Sequence, residues 1–411
     1  MSLGHMIPDR AVEQLSETIR EAAKQKRPLC IRGGGTKDFY GGPAHGYKLN
    51  TGDFRGILAY EPTELVITAR AGTPLLEVEA ALREKGQMLA FEPPHFGEIP
   101  SPHAPPAPHP RPSPEWRGAA RDPLLPSGEG QGMRDREGNI VPPERKNRMA
   151  TLGGCVAAGL SGPRRPYAGA VRDFMLGVRV LDGKGDDLRF GGQVMKNVAG
   201  YDVSRLMAGS LGTLGVVLEV SLKVLPLPAF ESTLLLKRGE AEAISLMNEW
   251  AARPLPITAT AWRDGDLGVR LSGARVAVEA TAKKLGGAPV APDQAQRFWT
   301  GIREQTDPFF SGEGPLWRLS IKSTTPPLAL SGAQLIEWGG ALRWLRTAAD
   351  AKTIRDAAAH AGGHATLFRG GDRSAGVFQP LSPVLMKLHR NLKQVFDPSG
   401  ILNPGRMYPD L

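Results

Sequence analysis

Cysteine is almost missing from this 411-residue chain, with Cys30 and Cys155 the only two. Neither stands in a metal-type spacing, which excludes a disulfide framework and an iron–sulfur cluster held by this chain alone. No apolar run reaches bilayer length: the best, from Leu214 to Leu227, is interrupted by Glu219 and Lys223. The N-terminal stretch has no secretory apolar core, so the chain reads as cytosolic and at most peripheral to a membrane. No G-x-G-x-x-G opens a helix after a strand, and G-x-x-x-x-G-K-[ST], H-E-x-x-H and G-x-S-x-G are all missing. A Rossmann dinucleotide site, a P-loop, a zincin site and a nucleophile elbow are thereby set aside. Basic residues exceed acidic ones by 51 to 42, a net charge of +9. They are scattered and carry no nucleic-acid motif, so the expected partners are anionic small molecules or acidic surfaces, not nucleic acid.

What the chain has in quantity is glycine placed against strands. Pro28-Leu29-Cys30-Ile31 is an apolar strand that runs into Arg32-Gly33-Gly34-Gly35-Thr36. Consecutive amides without side chains form a concave anion receptor, and glycine admits a phosphate oxygen at close range. Arg32 adds a planar fork of donors. Two further stops lie in the same half, at Thr151-Leu152-Gly153-Gly154 and at Gly209-Ser210-Leu211-Gly212-Thr213-Leu214-Gly215. Three backbone approaches fit an extended, diphosphate-bearing ligand better than a single phosphate.

The organisation is read from periodicity. A helix with Asp9 as its cap covers Val12 to Ala23. Strands follow at Leu29–Arg32, Ile57–Tyr60 and Leu65–Arg70, then a helix with Thr73 as N-cap and Gly86 after its end, then a strand at Gln87–Phe91. Residues 98–149 break the rhythm, with eight prolines between Pro100 and Pro114. Such composition buries too little apolar area to offset ordering entropy, so a disordered insertion is expected, with His103 and His109 solvated. Strands at Leu176–Leu181 and Leu188–Phe190 form a hairpin, and a strand at Val216–Leu225 closes the half. Beyond Pro226 and Pro228, strands and helices alternate to Phe396, including a strand expected at Leu316–Lys322, which predicts a second α+β domain. The boundaries are 1–227 and 228–411.

The runs Pro28–Thr36, Pro62–Val66, Thr151–Gly154 and Gly209–Val217 resemble the FAD-binding domain of the vanillyl-alcohol oxidase and p-cresol methylhydroxylase type. Phe396-Asp397-Pro398-Ser399-Gly400-Ile401-Leu402-Asn403-Pro404-Gly405-Arg406-Met407 resembles the tail of 2-hydroxyacid oxidases of that superfamily. More narrowly, Phe91-Glu92-Pro93-Pro94-His95, Gly162–Pro166 and Val194–Asp202 look like the FAD-binding subunits of glycolate oxidases. The resemblance implies an α+β fold: a two-subdomain FAD-binding domain followed by a smaller, ferredoxin-like α+β domain whose tail returns to the flavin. It places FAD against Arg32, Gly33, Gly34, Gly35, Thr36, Thr151, Gly153, Gly154, Gly209, Gly212 and Val217. Thr36 stands where some members attach flavin through histidine, so this FAD is expected to be non-covalent.

The resemblance implies oxidation of glycolate to glyoxylate within a complex, with a second flavoprotein subunit and an iron–sulfur subunit as partners. A catalytic set is thin in the sequence. Arg318 and Lys322, on one face of the expected strand, are candidates for a substrate carboxylate. Asn403 and Arg406 are candidates for stabilising reduced flavin. His360 and His364 lack an adjacent carboxylate, so no metal site is expected. Arg343, Arg346, Arg369 and Arg373 read as surface charge, and His389 as packed on its helix. A self-sufficient FAD-dependent 2-hydroxyacid dehydrogenase and a non-catalytic structural flavoprotein subunit stay open as alternatives.

Overall fold

The computed structural model describes residues 10–97, 149–192 and 202–411. The expected Asp9 cap, the proline-rich insertion with His103 and His109, and most of the Val194–Asp202 motif lie outside the described residues. The described residues 10–96, 149–192 and 202–411 belong to one compact unit.

The first half contains α1 (Arg10–Lys24), β1 (Leu29–Arg32), β2 (Tyr47–Asn50), β3 (Ile57–Glu61), β4 (Val66–Arg70), α2 (Leu75–Glu84) and β5 (Gln87–Met88). Then follow α3 (Leu152–Ala158), α4 (Arg165–Ala168), α5 (Val171–Phe174), β6 (Met175–Leu181), β7 (Asp187–Gly191), α6 (Val203–Leu206), β8 (Val216–Lys223) and β9 (Leu225–Pro226). An antiparallel five-stranded sheet in the order β3-β4-β8-β6-β7 packs against α2 and α3. The faces meet through Ile67, Ala69, Leu75, Val78, Leu152, Cys155, Val156, Val180 and Val220. Small residues at Gly153, Gly154 and Ala157 keep α3 slim where it approaches the glycine loop.

β1 and β2 pair in parallel as a separate two-stranded ribbon. Sequence periodicity missed β2, because only Leu49 of its four residues is buried. The expected Thr73 cap is not formed. Pro74 starts α2, and the Thr73 hydroxyl instead accepts the Gly56 N–H at 2.9 Å and reaches the Gly56 carbonyl at 3.2 Å. The strand expected at Gln87–Phe91 is only two residues long, since the chain turns at Glu92 with φ 48°.

The second half contains β10 (Phe230–Lys237), α7 (Glu240–Ala251), β11 (Ile257–Arg263), β12 (Asp266–Gly273), α8 (Arg275–Leu285), β13 (Ala288–Pro289) and α9 (Pro292–Glu304). It continues with β14 (Leu316–Ser320), β15 (Ala333–Glu337), β16 (Leu342–Arg346), α10 (Ala351–His360), β17 (His364–Arg369) and α11 (Pro383–Phe396). One antiparallel eight-stranded sheet joins them in the order β13-β10-β12-β11-β15-β16-β14-β17. Its first four strands have the ferredoxin-like β-α-β-β-α-β connectivity. The last four repeat the same strand order, but a loop replaces the helix between β14 and β15. The two modules share the β11–β15 edge, which leaves neither module an open edge there.

Arg343 corrects the surface reading of the sequence. It lies on β16 between two neighbouring strands and is fully buried, donating from Nε to the Gly340 carbonyl and from Nη2 to the Thr325 carbonyl, both at 2.7 Å. Arg346 and Arg373 also bond backbone carbonyls, of Phe309 and Gly314 and of Phe39 and Gly41 respectively.

The C-terminal tail completes the first half. Leu29 donates to the Ile401 carbonyl at 2.7 Å and Asn403 donates to the Leu29 carbonyl at 2.9 Å, so the tail runs beside β1 as a further strand-like rung.

Candidate functional site

The glycine loop leaves β1 and passes over the residues that precede α3. A Cβ on Gly33 would stand 2.5 Å from the Thr151 hydroxyl, and one on Gly34 would stand 1.6 Å from the Met149 carbonyl oxygen. Gly35 has φ +74°, and a Cβ there would meet the Arg32 guanidinium. These glycines are therefore required by chain packing. Their bare Cα atoms let two chain segments touch while the amides turn elsewhere. Among the described residues, no protein acceptor meets the amides of Gly33, Gly34, Gly35 or Thr36. Arg32 pairs with Asp38 at 2.5 Å and has a buried Nε without a partner. This row of unpaired donors, half-buried at Gly33–Gly35 and buried at Thr36, is free to take an acceptor.

That row of donors borders a cleft of about 530 Å³, with Thr151, Leu211, Asn403 and Arg406 on its other walls. A second space of about 400 Å³ adjoins it, sharing Ile31, Gly33, Gly154 and Leu211 and reaching Gly153, Gly212, Gly215 and Val217. Together they form an elongated groove. Arg32–Thr36, Thr151, Gly153, Gly154, Gly212 and Val217 all line it. Gly209 does not: its amide donates to the Val156 carbonyl, and its Cα packs on Gly159 at the end of α3.

The start of α3 differs from the glycine loop. Leu152, Gly153 and Gly154 donate to the Thr73 carbonyl, the Ala71 carbonyl and the Thr151 hydroxyl. With these amides satisfied inside the protein, Thr151 and Gly153 shape the groove, and the free donors come from residues 33–36.

Asn403 and Arg406 act as fasteners. The Asn403 amide accepts the Ile31 N–H and donates to the Leu211 carbonyl, both at 2.7 Å, tying the tail to β1 and to the 209–215 loop. Arg406 donates to the carbonyls of Gly42, Asp38 and Lys37. Burial pulls its guanidinium below the usual range, opposed by Asp38.

Arg318 and Lys322 are not brought together. β14 ends at Ser320, so Lys322 leaves the sheet and is exposed beside Gly362. Arg318 instead lines a small, partly open pocket with Ser161, Gln305, Glu337 and Trp344 on its wall. His360 is bonded through Nδ1 to the Asp356 carbonyl, and burial, together with the charge of Arg318, pulls the His364 imidazolium below its usual range. Among the described residues no group of His, Cys, Asp or Glu forms a metal cluster.

Two buried ionisable groups escaped the sequence reading, because nothing in a local pattern reports burial. Lys37 lines the groove, and burial pulls its ammonium down, against the pull of Cys155 and Glu304. Glu337, at the end of β15, accepts the Trp344 Nε1–H at 2.7 Å, and burial pushes its carboxyl up to about 7. The ordinary value is 4.5, so between there and about 7 the folded chain binds the proton more readily than the unfolded chain. Stability therefore falls as pH rises through that window. Glu337→Gln keeps the acceptor for Trp344 and is expected to remove the slope, gaining on the order of 3 kcal/mol at about pH 8 and little at about pH 5. Urea unfolding at both pH values checks this, and parallel profiles for parent and variant would refute the burial argument.

The motifs at 91–95 and 162–166 form one ion network. Burial pushes the Glu92 carboxyl up, but Arg270 and Arg164 outweigh it and hold Glu92 below the usual carboxylate range. Arg164 also meets Glu231 at 2.8 Å, so the network clamps the first half onto β10 and β12.

Comparison with known proteins follows the same lines. Residues 9–99 match a FAD binding domain family, and residues 370–407 match the C-terminal domain of FAD linked oxidases. Glycolate oxidase subunit GlcE of Escherichia coli (strain K12) is 46% identical over 399 residues, covering 97% of this chain and 98% of its own. Glycolate oxidase subunit GlcD of Bacillus subtilis (strain 168) is 36% identical over 127 residues, 30% of this chain and 27% of its own. The structure of p-cresol methylhydroxylase with substrate bound superposes with a TM-score of 0.63 at 15% identity, covering 97% of this chain and 87% of that one, which establishes the shared fold.

Proposed function

The chain belongs to the glycolate oxidase subunit GlcE family, and on that premise we propose that it is the FAD-binding subunit of a multisubunit glycolate oxidase. The complex oxidises glycolate to glyoxylate and hands the electrons to an iron–sulfur subunit, with a second flavoprotein subunit as neighbour. The observation that carries the reading is the row of unpaired amides at Gly33, Gly34, Gly35 and Thr36 along an elongated groove. Residues 1–227 form the cofactor domain and residues 228–411 the substrate-side domain with its returning tail.

FAD, when bound, supplies the acceptor for the two electrons of the alcohol. The work of this chain is to hold it. The amides of residues 33–36 and the Arg32 Nε–H donate to the diphosphate oxygens. Gly212 and Val217 keep the far part of the groove narrow and free of bulk. Asn403 and Arg406 fix the walls, since their donors are spent on backbone carbonyls. Among the described residues no helix is long and apolar enough to cross a membrane, which suits peripheral attachment through partners.

With Thr36 in place of a histidine, the flavin is held without a covalent bond. Acid precipitation of the purified chain is expected to release all yellow colour into the supernatant; colour in the pellet would refute this. Anaerobic glycolate then separates the roles. A lone chain that stays yellow and bleaches only with its partner subunits fits the subunit reading. A lone chain that bleaches at once is a self-sufficient 2-hydroxyacid dehydrogenase, and flavin that never cycles in the complex is structural.

A further inference from the structure

Arginines that point inward in this fold are almost all matched. Arg164 pairs with Glu92 and Glu231, Arg179 with Asp187 and Glu219, and Arg355 with the carbonyls of Ala375 and Gly376. Arg318 and Arg165 break that rule. Among the described residues neither guanidinium has a hydrogen-bond or ion-pair partner, although each residue is half-buried. Both stack on the same indole, with guanidinium carbons 5.1 Å and 4.3 Å from the Trp338 ring centre. Burial holds the Arg165 guanidinium below its usual range, and repulsion from the like charge of Arg318 on the same ring adds to it. Arg369 lies nearby on the Phe96 and Phe368 rings, also without a counter-ion.

The pocket that Arg318 lines has two further orphans. The Ser161 hydroxyl and the Gln305 Oε1 are buried without any partner. An unmatched cation, an unmatched acceptor and a hydroxyl on the wall of one pocket describe the complement of a ligand. The ligand must carry negative charge for the guanidinium and one donor for Gln305 Oε1. A carboxylate with a hydroxyl on the adjacent carbon has both. Inorganic phosphate also carries negative charge and a P–OH donor, which makes it the competing occupant. Glu337 shares the wall, and its burial favours the neutral carboxyl, which keeps it from opposing an incoming anion.

We propose that Arg318, with Ser161, Gln305 and the neighbouring Arg165, forms a binding site for the carboxylate and hydroxyl of a small 2-hydroxy acid. The site rests on the reading of this chain as part of a glycolate-oxidising flavoprotein, and it assigns substrate recognition to this chain and not only to a partner. Arg318 makes the charge-assisted contact, Gln305 selects the hydroxyl, and Arg165 strengthens the field from across the Trp338 ring.

The test is calorimetric titration of the flavin-loaded full chain, without oxygen, using glycolate, acetate and inorganic phosphate as probes. Glycolate is expected to bind more tightly than acetate or phosphate. Arg318→Met should weaken it about tenfold or more, Arg318→Lys by less, and Gln305→Met should bring glycolate down to the level of acetate. FAD content of each variant should match the parent, which shows that the fold and cofactor groove are intact. Absence of glycolate binding, phosphate binding tighter than glycolate, or glycolate binding indifferent to both Arg318→Met and Arg165→Met would each overturn the site. The two readings fail separately. A chain that takes up no flavin yet binds glycolate through Arg318 loses the proposed function and keeps the site. A flavin-loaded chain whose glycolate binding ignores Arg318 loses the site alone.

Discussion

Gly34→Ala should yield a chain that no longer retains FAD, with affinity down by more than about tenfold, or about 1.4 kcal/mol. The added methyl would sit 1.6 Å from the Met149 carbonyl oxygen, a separation no side chain tolerates, and the obstacle is backbone that cannot rotate away. The loop must lift off the 149–151 segment, and the four free amides lose their common aim. A stability loss of about 1–3 kcal/mol should accompany this, the usual cost of overpacking. Gly301→Ala is the internal control. It lies within α9, its nearest neighbour to an added Cβ is 3.5 Å away, and alanine there should gain about 0.5–1 kcal/mol. Flavin absorbance per chain and urea unfolding measure both effects. A Gly34→Ala protein that binds FAD like its parent would remove the loop from the cofactor site.

The same position shows what the sequence could and could not convey. Glycines at 33–35 were legible as a bare stretch after a strand, and the proposal of an anion receptor follows from them directly. Their division of labour was not, because which segment crosses above the loop is a long-range fact. Met149 and Thr151 lie more than a hundred residues downstream, and nothing local announces that they fill the space the missing side chains leave. Thr151 illustrates the converse. It was legible as part of a backbone approach to a ligand, yet it caps α3, and its hydroxyl and the amides behind it are consumed by Gly154, Ala71 and Thr73.

Elements with strong periodicity, such as α1 and β6, emerge close to their expected bounds, since buried apolar residues recur along each. β2 and β15 were missed for different reasons. β2 is mostly exposed and owes its existence to pairing with β1. β15 begins with Ala333 and Gln334 and reads as loop until β11 and β16 flank it. Of the proposed 2-hydroxy acid site only Arg318 was legible, and the rest was not for the same cause. Arg165, Gln305, Arg318 and Glu337 come from four separate elements, and only the joining of two ferredoxin-like modules with the 160–165 turn gathers them. Arginine count along the chain gives no hint of which guanidinium lacks a counter-ion.

Asp397→Asn is expected to cost about 3–5 kcal/mol, the penalty for stranding a buried charge. Lys393 and Asp397 are both buried, with Nζ 2.7 Å from the carboxylate. Lys393 spends its other donors on the carbonyls of Thr213 and Leu402, at 2.8 and 2.7 Å. Asp397 accepts the N–H groups of Ile401 and Leu402 at 3.1 and 2.7 Å. The pair thus holds α11, the tail and the 209–215 loop at one point, and the tail in turn runs beside β1 into the cofactor groove. Burial pulls the Lys393 ammonium down while Asp397 opposes it, so loss of the carboxylate leaves an ammonium with only carbonyl dipoles for company. Lys393→Met should cost less, because Asp397 keeps both of its amide donors. The double variant Lys393→Met/Asp397→Asn should fall short of the sum of the singles by about 1 kcal/mol or more, since neither stranded charge remains. Flavin retention should track the same order, worst in Asp397→Asn, because slack in the tail frees Asn403 from Ile31 and Leu211. Additive losses, or an Asp397→Asn protein within about 0.5 kcal/mol of its parent, would mean that the tail is held by its apolar residues Ile401 and Leu402 and not by this pair.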